Sequence, residues 1–261
     1  MSSVARRTHW QIWKDVIFSL MLRQVRTAFS DKLGLSWAVI QPAAFIFILS
    51  FMRGRLDGGE TYTIPTFVFM AYGLLMIQLW MQVFQSGTSA IRQSKPLFAF
   101  RQVQPISPVI AIGLFEAVIK VFVIFCLLLI MYFMDMDIRL DEPLSIILNF
   151  VLIAVFALSL GLLFGMIGLF IPEVSKVISL LTRPMFFISG VFFSLRDFPP
   201  ELWWLLDWNP ILHAIEISRG SAYSSYGELG VSQIYVVEVT VITVFLSLIF
   251  YRATWKRGLS Q

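Results

Sequence analysis

Twenty consecutive residues without a charge, Leu33 to Met52, lie between Lys32 and Arg53. A helix needs about 20 mostly apolar residues to cross the hydrocarbon core of a bilayer. Further mostly apolar stretches run from Ile64 to about Phe84, Ile106 to Met134 with Glu116 and Lys120 inside it, Leu144 to Ile171, Val177 to Leu195 interrupted by Arg183-Pro184, and Val231 to Tyr251 with Glu238 inside it. The expected fold class is therefore an all-α integral membrane protein with six transmembrane helices. Composition narrows function in the same direction. Charged residues make up 14% of the chain, against about 25% in soluble domains, and mean hydropathy is +0.80. A soluble enzyme, a disordered regulator and a nucleic-acid reader are excluded.

Residues 1–32 precede the first stretch and carry Arg6, Arg7, Lys14, Arg23, Arg26 and Lys32, with no compact apolar region and small-residue cleavage site. They are not expected to be a cleaved signal peptide. Trp10, Trp13, Ile17, Leu20 and Met21 recur at helical spacing, which predicts an amphipathic helix in the headgroup plane. The chain divides into this interfacial segment, 1–32, and a six-span domain, 33–261. An even number of spans puts both termini on one side. The segments expected on that side carry thirteen Lys/Arg and the opposite loops five. Basic loops stay in the cytoplasm, so both termini are expected to be cytoplasmic.

The missing motifs matter too. None of the fifteen glycines precedes a lysine, so the chain has no phosphate-cradling P-loop. His9 and His213 sit in no metal-ligand spacing, and Cys126 alone forms no internal disulfide. Gly87-Thr88-Ser89-Ala90 resembles a serine-nucleophile turn, but no histidine is expected beside it. Asp135-x-Asp137 offers a transferase-like metal pair on the wrong side for nucleotide-sugar donors.

The connection from Arg92 to Pro108 mixes charge with Phe98, Phe100, Val103 and Ile106, and prolines interrupt it at 96, 105 and 108. A short helix between Pro96 and Pro105 would suit either docking onto a cytosolic subunit or anchoring at the bilayer surface. Between the fifth and sixth spans, Pro200 with Glu201 and Asn209 with Pro210 suit two helix starts. These predict two short helices, each near ten residues, which are re-entrant or interfacial because neither can span. Trp203, Trp204 and Trp208 there suit an aromatic belt or a gate past which sugar rings slide. His213, Glu216 and Arg219 follow at helical spacing, as a local network or part of that gate. Four intramembrane charges, Glu116, Lys120, Arg183 and Glu238, are functional candidates by default. Glu116 and Lys120 are four apart and can neutralise each other, and Arg183 can snorkel. Ala157, Gly161 and Gly165 form a small-residue packing face.

Four stretches make the chain resemble the membrane subunit of type-2 ABC exporters for bacterial capsule and O-antigen polysaccharides, the KpsM/Wzm type. The first is Arg23-Gln-Val-Arg26 with Leu33-Gly34-x-x-Trp37-Ala38 and Gln41-Pro42. The second is Leu97-Phe98-x-x-Arg101-x-Val103-x-Pro105-Ile106. The third is Ile171-Pro172-Glu173-x-x-Lys176. The last joins Arg183-Pro184-x-Phe186-Phe187-Ile188-Ser189-Gly190 to Asn209-Pro210-x-x-His213-x-x-Glu216-x-x-Arg219. The stretch Thr27-Ala28-Phe29-Ser30-Asp31 departs from the family, whose members are usually more basic there.

The resemblance implies a homodimer in the bacterial inner membrane with a channel between the copies, moving a lipid-linked polysaccharide, capsule more closely than O-antigen. It implies no cofactor on this chain: ATP and Mg would sit on two copies of a separate ATPase. Lys95, Phe98, Arg101, Pro105 and Ile106 would couple to that ATPase, with the N-terminal helix packed near them. Residues 198–219, including Trp203, Trp204, Trp208, His213, Glu216 and Arg219, would form the outer gate. A periplasmic adaptor and an outer-membrane partner would complete the path, and nucleic acid has no part. A permease of the same architecture for lipids or drugs is the alternative.

Overall fold

The computed structural model describes residues 8–29, 34–100, 102–227 and 229–259. Arg101, named above as a coupling residue, and Lys32, Leu33, Ser30 and Asp31 lie outside the described residues. The elements run α1 (His9–Phe29), α2 (Gly34–Asp57), β1 (Glu60–Thr61), β2 (Ile64–Pro65), α3 (Thr66–Gln93), a 3₁₀ turn (Lys95–Ala99), α4 (Ile106–Phe133), α5 (Pro143–Phe170), α6 (Val174–Ile188), 3₁₀ turns at Leu195–Asp197 and Pro200–Leu205, α7 (Pro210–Ala222) and α8 (Gln233–Leu259). The two strands form one short antiparallel hairpin with Thr61 opposite Ile64.

Among the described residues, five helices are long and apolar enough to cross a membrane: α2, α3, α4, α5 and α8. The most enclosed is α3. It is apolar on nearly every face, so it is buried on nearly every face, against α2, α4 and α5. The small-residue face of α5 explains how closely these two helices approach. A Cβ on Gly161 would stand 3.1 Å from Gly87 Cα, and one on Gly165 would meet the Thr88 carbonyl oxygen at 3.1 Å. The stripe at 157, 161 and 165 therefore packs within the chain, backbone against backbone.

Three elements gather at one end of the bundle. On α1, Ile17 and Leu20 pack with Leu97 and with Ile110 and Ala111 at the start of α4. At the same end, Phe250, Tyr251 and Trp255 of α8, like Phe98, pack against the cluster of Ala90, Ile91 and Val109. The expected short helix in this connection is a 3₁₀ turn over Lys95–Ala99. The reason is that α3 continues to Gln93, which leaves little chain before Pro105. The opposite end holds the hairpin, the 195–205 turns and the 135–142 segment. There Arg53 pairs with Asp197 at 3.7 Å, and the Glu142 N–H donates to the Ser221 carbonyl at 2.7 Å.

The fifth apolar stretch differs most from its expectation. Instead of a helix over 177–195, α6 occupies Val174–Ile188, 15 residues, and an irregular segment follows. Gly190 sits at φ +75° with Leu212 against it. That left-handed conformation suits glycine and ends the helix. The next region holds a six-residue 3₁₀ turn and the longer α7, rather than two equal helices.

Candidate functional site

At the end where α1 and α8 meet the 95–105 connection, the predicted coupling residues separate by exposure. Lys95 is exposed and Pro105 is buried. Phe98 and Ile106 are half-buried against the cluster formed by Ala90, Ile91 and Val109. Phe100 is 65% exposed. Arg23 of α1 reaches the Ser94 hydroxyl at 3.4 Å, which ties the N-terminal helix to the end of α3. The connection thus presents Lys95 and Phe100 outward from a backbone held by packed apolar side chains.

At the opposite end, sequence spacing alone placed His213, Glu216 and Arg219 together, and the structure shows what surrounds them. Asn209 caps α7 by accepting from the Ile211 N–H at 3.0 Å, and it donates to the Ser189 hydroxyl at 2.9 Å. Pro210 follows in the first turn, where no donor is lost. Every residue of α7 is buried. Arg219 is fully buried; it donates to Glu216 Oε1 at 2.8 Å, to the Gly190 carbonyl at 2.8 Å and to the Phe69 carbonyl at 2.9 Å. The other Glu216 oxygen accepts from Ser194 at 2.8 Å and from Tyr226 at 2.7 Å. A buried ion pair holds only when its remaining lone pairs and protons are met, and here they are. This network joins α3, the segment after α6 and α7. Gly73 leaves the room it needs, since a Cβ there would stand 2.9 Å from the Arg219 guanidinium.

His213 is held as one tautomer. Its Nδ1 accepts from the Ser232 N–H at 2.9 Å, so Nε2 carries the proton and donates to the Asp207 carbonyl at 2.7 Å. Burial pushes its pKa below the usual histidine value, against the opposing pull of the Asp207 carbonyl. The tryptophans fall elsewhere. Trp203 is half-buried and donates to the Phe198 carbonyl at 3.0 Å, whereas Trp204 and Trp208 are 68% and 51% exposed. The region therefore has a buried polar anchor and an exposed aromatic face.

Between these ends lies a groove of about 460 Å³ framed by α2, α3, α4 and Phe186 of α6, with Ala28 of α1 also in its lining. Gln41, Gln78, Gln82, Gln85, Glu116 and Lys120 line it. The three α3 glutamines recur at i, i+4 and i+7, hence on one face. Glu116 accepts from Ser86 at 3.2 Å. Lys120 is 3% exposed. Glu116 and Lys120 act on each other electrostatically, but among the described residues no ion pair within 4 Å joins them. Helical spacing places both on one face, and one Glu116 oxygen is taken up by Ser86. Arg183 and Glu238 are exposed on the outside of the bundle. Among the described residues no group of three metal-ligating side chains occurs.

The reading of charges alone passed over Gln78, Gln82 and Gln85. The available signal was three amides on one face of an otherwise apolar stretch. It also passed over Ser194 and Tyr226, which meet Glu216 only through tertiary contact.

The family of ABC-2 type transporters matches residues 15–223. The polysialic acid transport protein KpsM of Escherichia coli is 32% identical over 247 residues, covering 94% of this chain and 96% of that one. The capsule polysaccharide export inner-membrane protein CtrC of Neisseria meningitidis serogroup B is 23% identical, with 86% of each chain covered. The corresponding protein BexB of Haemophilus influenzae is 22% identical over 88% of this chain and 89% of its own.

Proposed function

Because the chain belongs to the ABC-2 type transporter family, we propose that it is the membrane subunit of an exporter that moves a bacterial capsule polysaccharide across the inner membrane. The observation that carries this is the end-to-end alignment with the polysialic acid transport protein. The relatives that align over most of their length are named for polysialic acid transport or capsule polysaccharide export, which favours this cargo over lipids or drugs. The chain is a multi-pass inner-membrane protein and is not itself an enzyme. ATP and Mg belong to a separate ATPase, two copies of which drive the cycle.

The membrane domain, residues 33–261, crosses six times. Five passes are the long helices. The sixth is α6 with the segment after it. Its 15 residues rise about 22 Å, and it starts at the inner end and finishes beside Phe69 at the outer end through Arg219. Six passes leave both termini together, which fits the shared packing of α1 and α8 near the 95–105 connection. The excess of basic residues makes that end cytoplasmic. The 200–222 segment re-enters the outer leaflet. Support comes from α7, enclosed by α3, α5 and α8, because such short elements are tolerated at membrane depth where protein covers them.

Two copies enclose the polymer path. Gln41, Gln82 and Gln85 are exposed on the single chain within membrane helices. Lipid is a poor neighbour for such amides, so they face water or a second copy. A polymer needs many weak contacts and no deep well, which suits amides below and the faces of Trp204 and Trp208 above. Lys95, Phe98, Arg101, Pro105 and Ile106 receive the ATPase. The polymer is lipid-linked at its end and passes to a periplasmic adaptor.

The test is deletion of the chain in its host, with long polysaccharide assayed inside and outside the cell. Polymer trapped in the cytoplasm and released by the restored chain is the expected result. Normal surface polymer would overturn the reading.

A further inference from the structure

The groove between α2, α3 and α4 contains an ammonium that the Glu116 carboxylate, one helical turn away, offsets only through space and without a direct ion pair. Lys120 is 3% exposed and lines the cavity. Among the described residues it has no hydrogen-bond acceptor and no carboxylate within 4 Å. It stands fourteen residues into the 28-residue α4, about 21 Å along the helix axis. That is too deep for its stem to carry the ammonium to either headgroup layer. A buried cation without a direct partner is costly, and proteins keep one where an anion arrives or a charge must be steered.

The neighbours restrict the anion's chemistry. Gln41, Gln78, Gln82 and Gln85 supply amides that both donate and accept, as a hydroxyl-rich ligand requires. Glu116, turned toward Ser86, adds a carboxylate that repels a densely charged ligand. A saccharide carrying one oxyanion per unit matches this set better than a naked polyanion. Gln41 and Gln85 lie near the cytoplasmic ends of their helices, while Lys120 and Gln78 lie near the middle. The amides thus lead from the cytoplasmic face to the ammonium.

We propose that this groove is an oxyanion-binding site for the exported polymer, with Lys120 as the counter-charge and the glutamines holding the adjoining hydroxyls. The oxyanion is a sugar carboxylate or the phosphate of the lipid-linked end. The assignment rests on the polysaccharide reading for its biological cargo, but its chemistry can be tested apart from it.

The experiment uses the whole transporter, the chain with its ATPase, in nanodiscs. A single cysteine replaces Gln82 (Gln82→Cys) on a Cys126→Ser background, and its maleimide labelling is timed. The probes are a sialic acid tetramer, a glucose tetramer and a short-chain phosphatidylglycerol. Protection by an anionic probe at concentrations where glucose fails is expected. Lys120→Met should weaken that protection at least about tenfold, and Lys120→Arg should retain it. Protection by the sialic acid tetramer names the sugar carboxylate as the source; protection by the lipid names the phosphate. Equal protection by the glucose tetramer, no protection by either anion, or full anionic protection in Lys120→Met would overturn the site. If Lys120→Met does not fold, the anionic preference of the Lys120 protein decides alone. Normal surface polymer in the deletion strain would remove the polysaccharide cargo while leaving the labelling result to stand or fall by itself.

Discussion

The guanidinium of Arg219 lies 3.4 Å from the centroid of the Phe69 ring and donates to the Phe69 carbonyl through Nε at 3.2 Å and Nη2 at 2.9 Å. One residue of α7 therefore grips both the side chain and the backbone of α3. Stacking and planar donation together are what a guanidinium offers and an ammonium does not. Arg219→Met should destabilise the detergent-solubilised protein by about 3–5 kcal/mol, because Glu216 is left buried without its cation. Arg219→Lys should recover only part of that loss. A thermal unfolding series of the three proteins checks the order, and equal stability of all three would exclude the anchoring role.

The contact of Gly87 with Gly161 makes a second prediction with an internal control. Gly161→Leu drives a side chain into the α3 backbone, where even a Cβ has only 3.1 Å. The two helices must separate, and overpacking of this kind typically costs about 1–3 kcal/mol or more. Gly168→Ala, on the same helix with nothing within 4 Å, should leave stability unchanged. Size-exclusion profiles and melting temperatures of both variants test the difference. Comparable behaviour would mean that the small-residue face serves something other than this close approach.

How far the sequence could be read follows from where each feature gets its information. The long helices were legible because about twenty mostly apolar residues in a row state their own length and environment. The end of α6 was not, because it depends on Gly190 turning left-handed against Leu212, a contact between distant residues. The His213, Glu216, Arg219 spacing was legible as one helix face, but its partners Ser194, Tyr226 and Phe69 come from elsewhere in the chain. Likewise, four-residue spacing put Glu116 and Lys120 together, while the choice of Ser86 as the glutamate's partner belongs to helix packing. Periodicity determines a face; only tertiary structure determines what meets it.

The tautomer of His213 gives a pH dependence with a definite sign. Its pKa is lowered in the folded protein, chiefly by burial, while the unfolded chain titrates near the ordinary value of about 6.5. Between those two values the unfolded state binds more protons. Stability is therefore fully present above about 6.5 and is lost as pH falls through the folded value. Protonation would also set an Nδ1 proton against the Ser232 N–H. His213→Gln should flatten the melting temperature over that window. An unchanged slope in the variant would place the sensitivity in another group.

Exposure separates the two phenylalanines of the 95–105 connection. Phe98 packs against Ala90, Ile91 and Val109, so Phe98→Ala should lower stability by about 1–3 kcal/mol, less than for a fully enclosed ring. Phe100, at 65% exposure, has no such packing to lose, so Phe100→Ala should shift stability by less than about 0.5 kcal/mol. As an exposed aromatic beside Lys95, it is suited to anchor a partner surface. Copurification of the ATPase with Phe100→Ala should fall about tenfold at unchanged melting temperature. Retention of the partner at full yield would move the coupling contact away from Phe100, leaving Lys95 as the exposed residue to alter next.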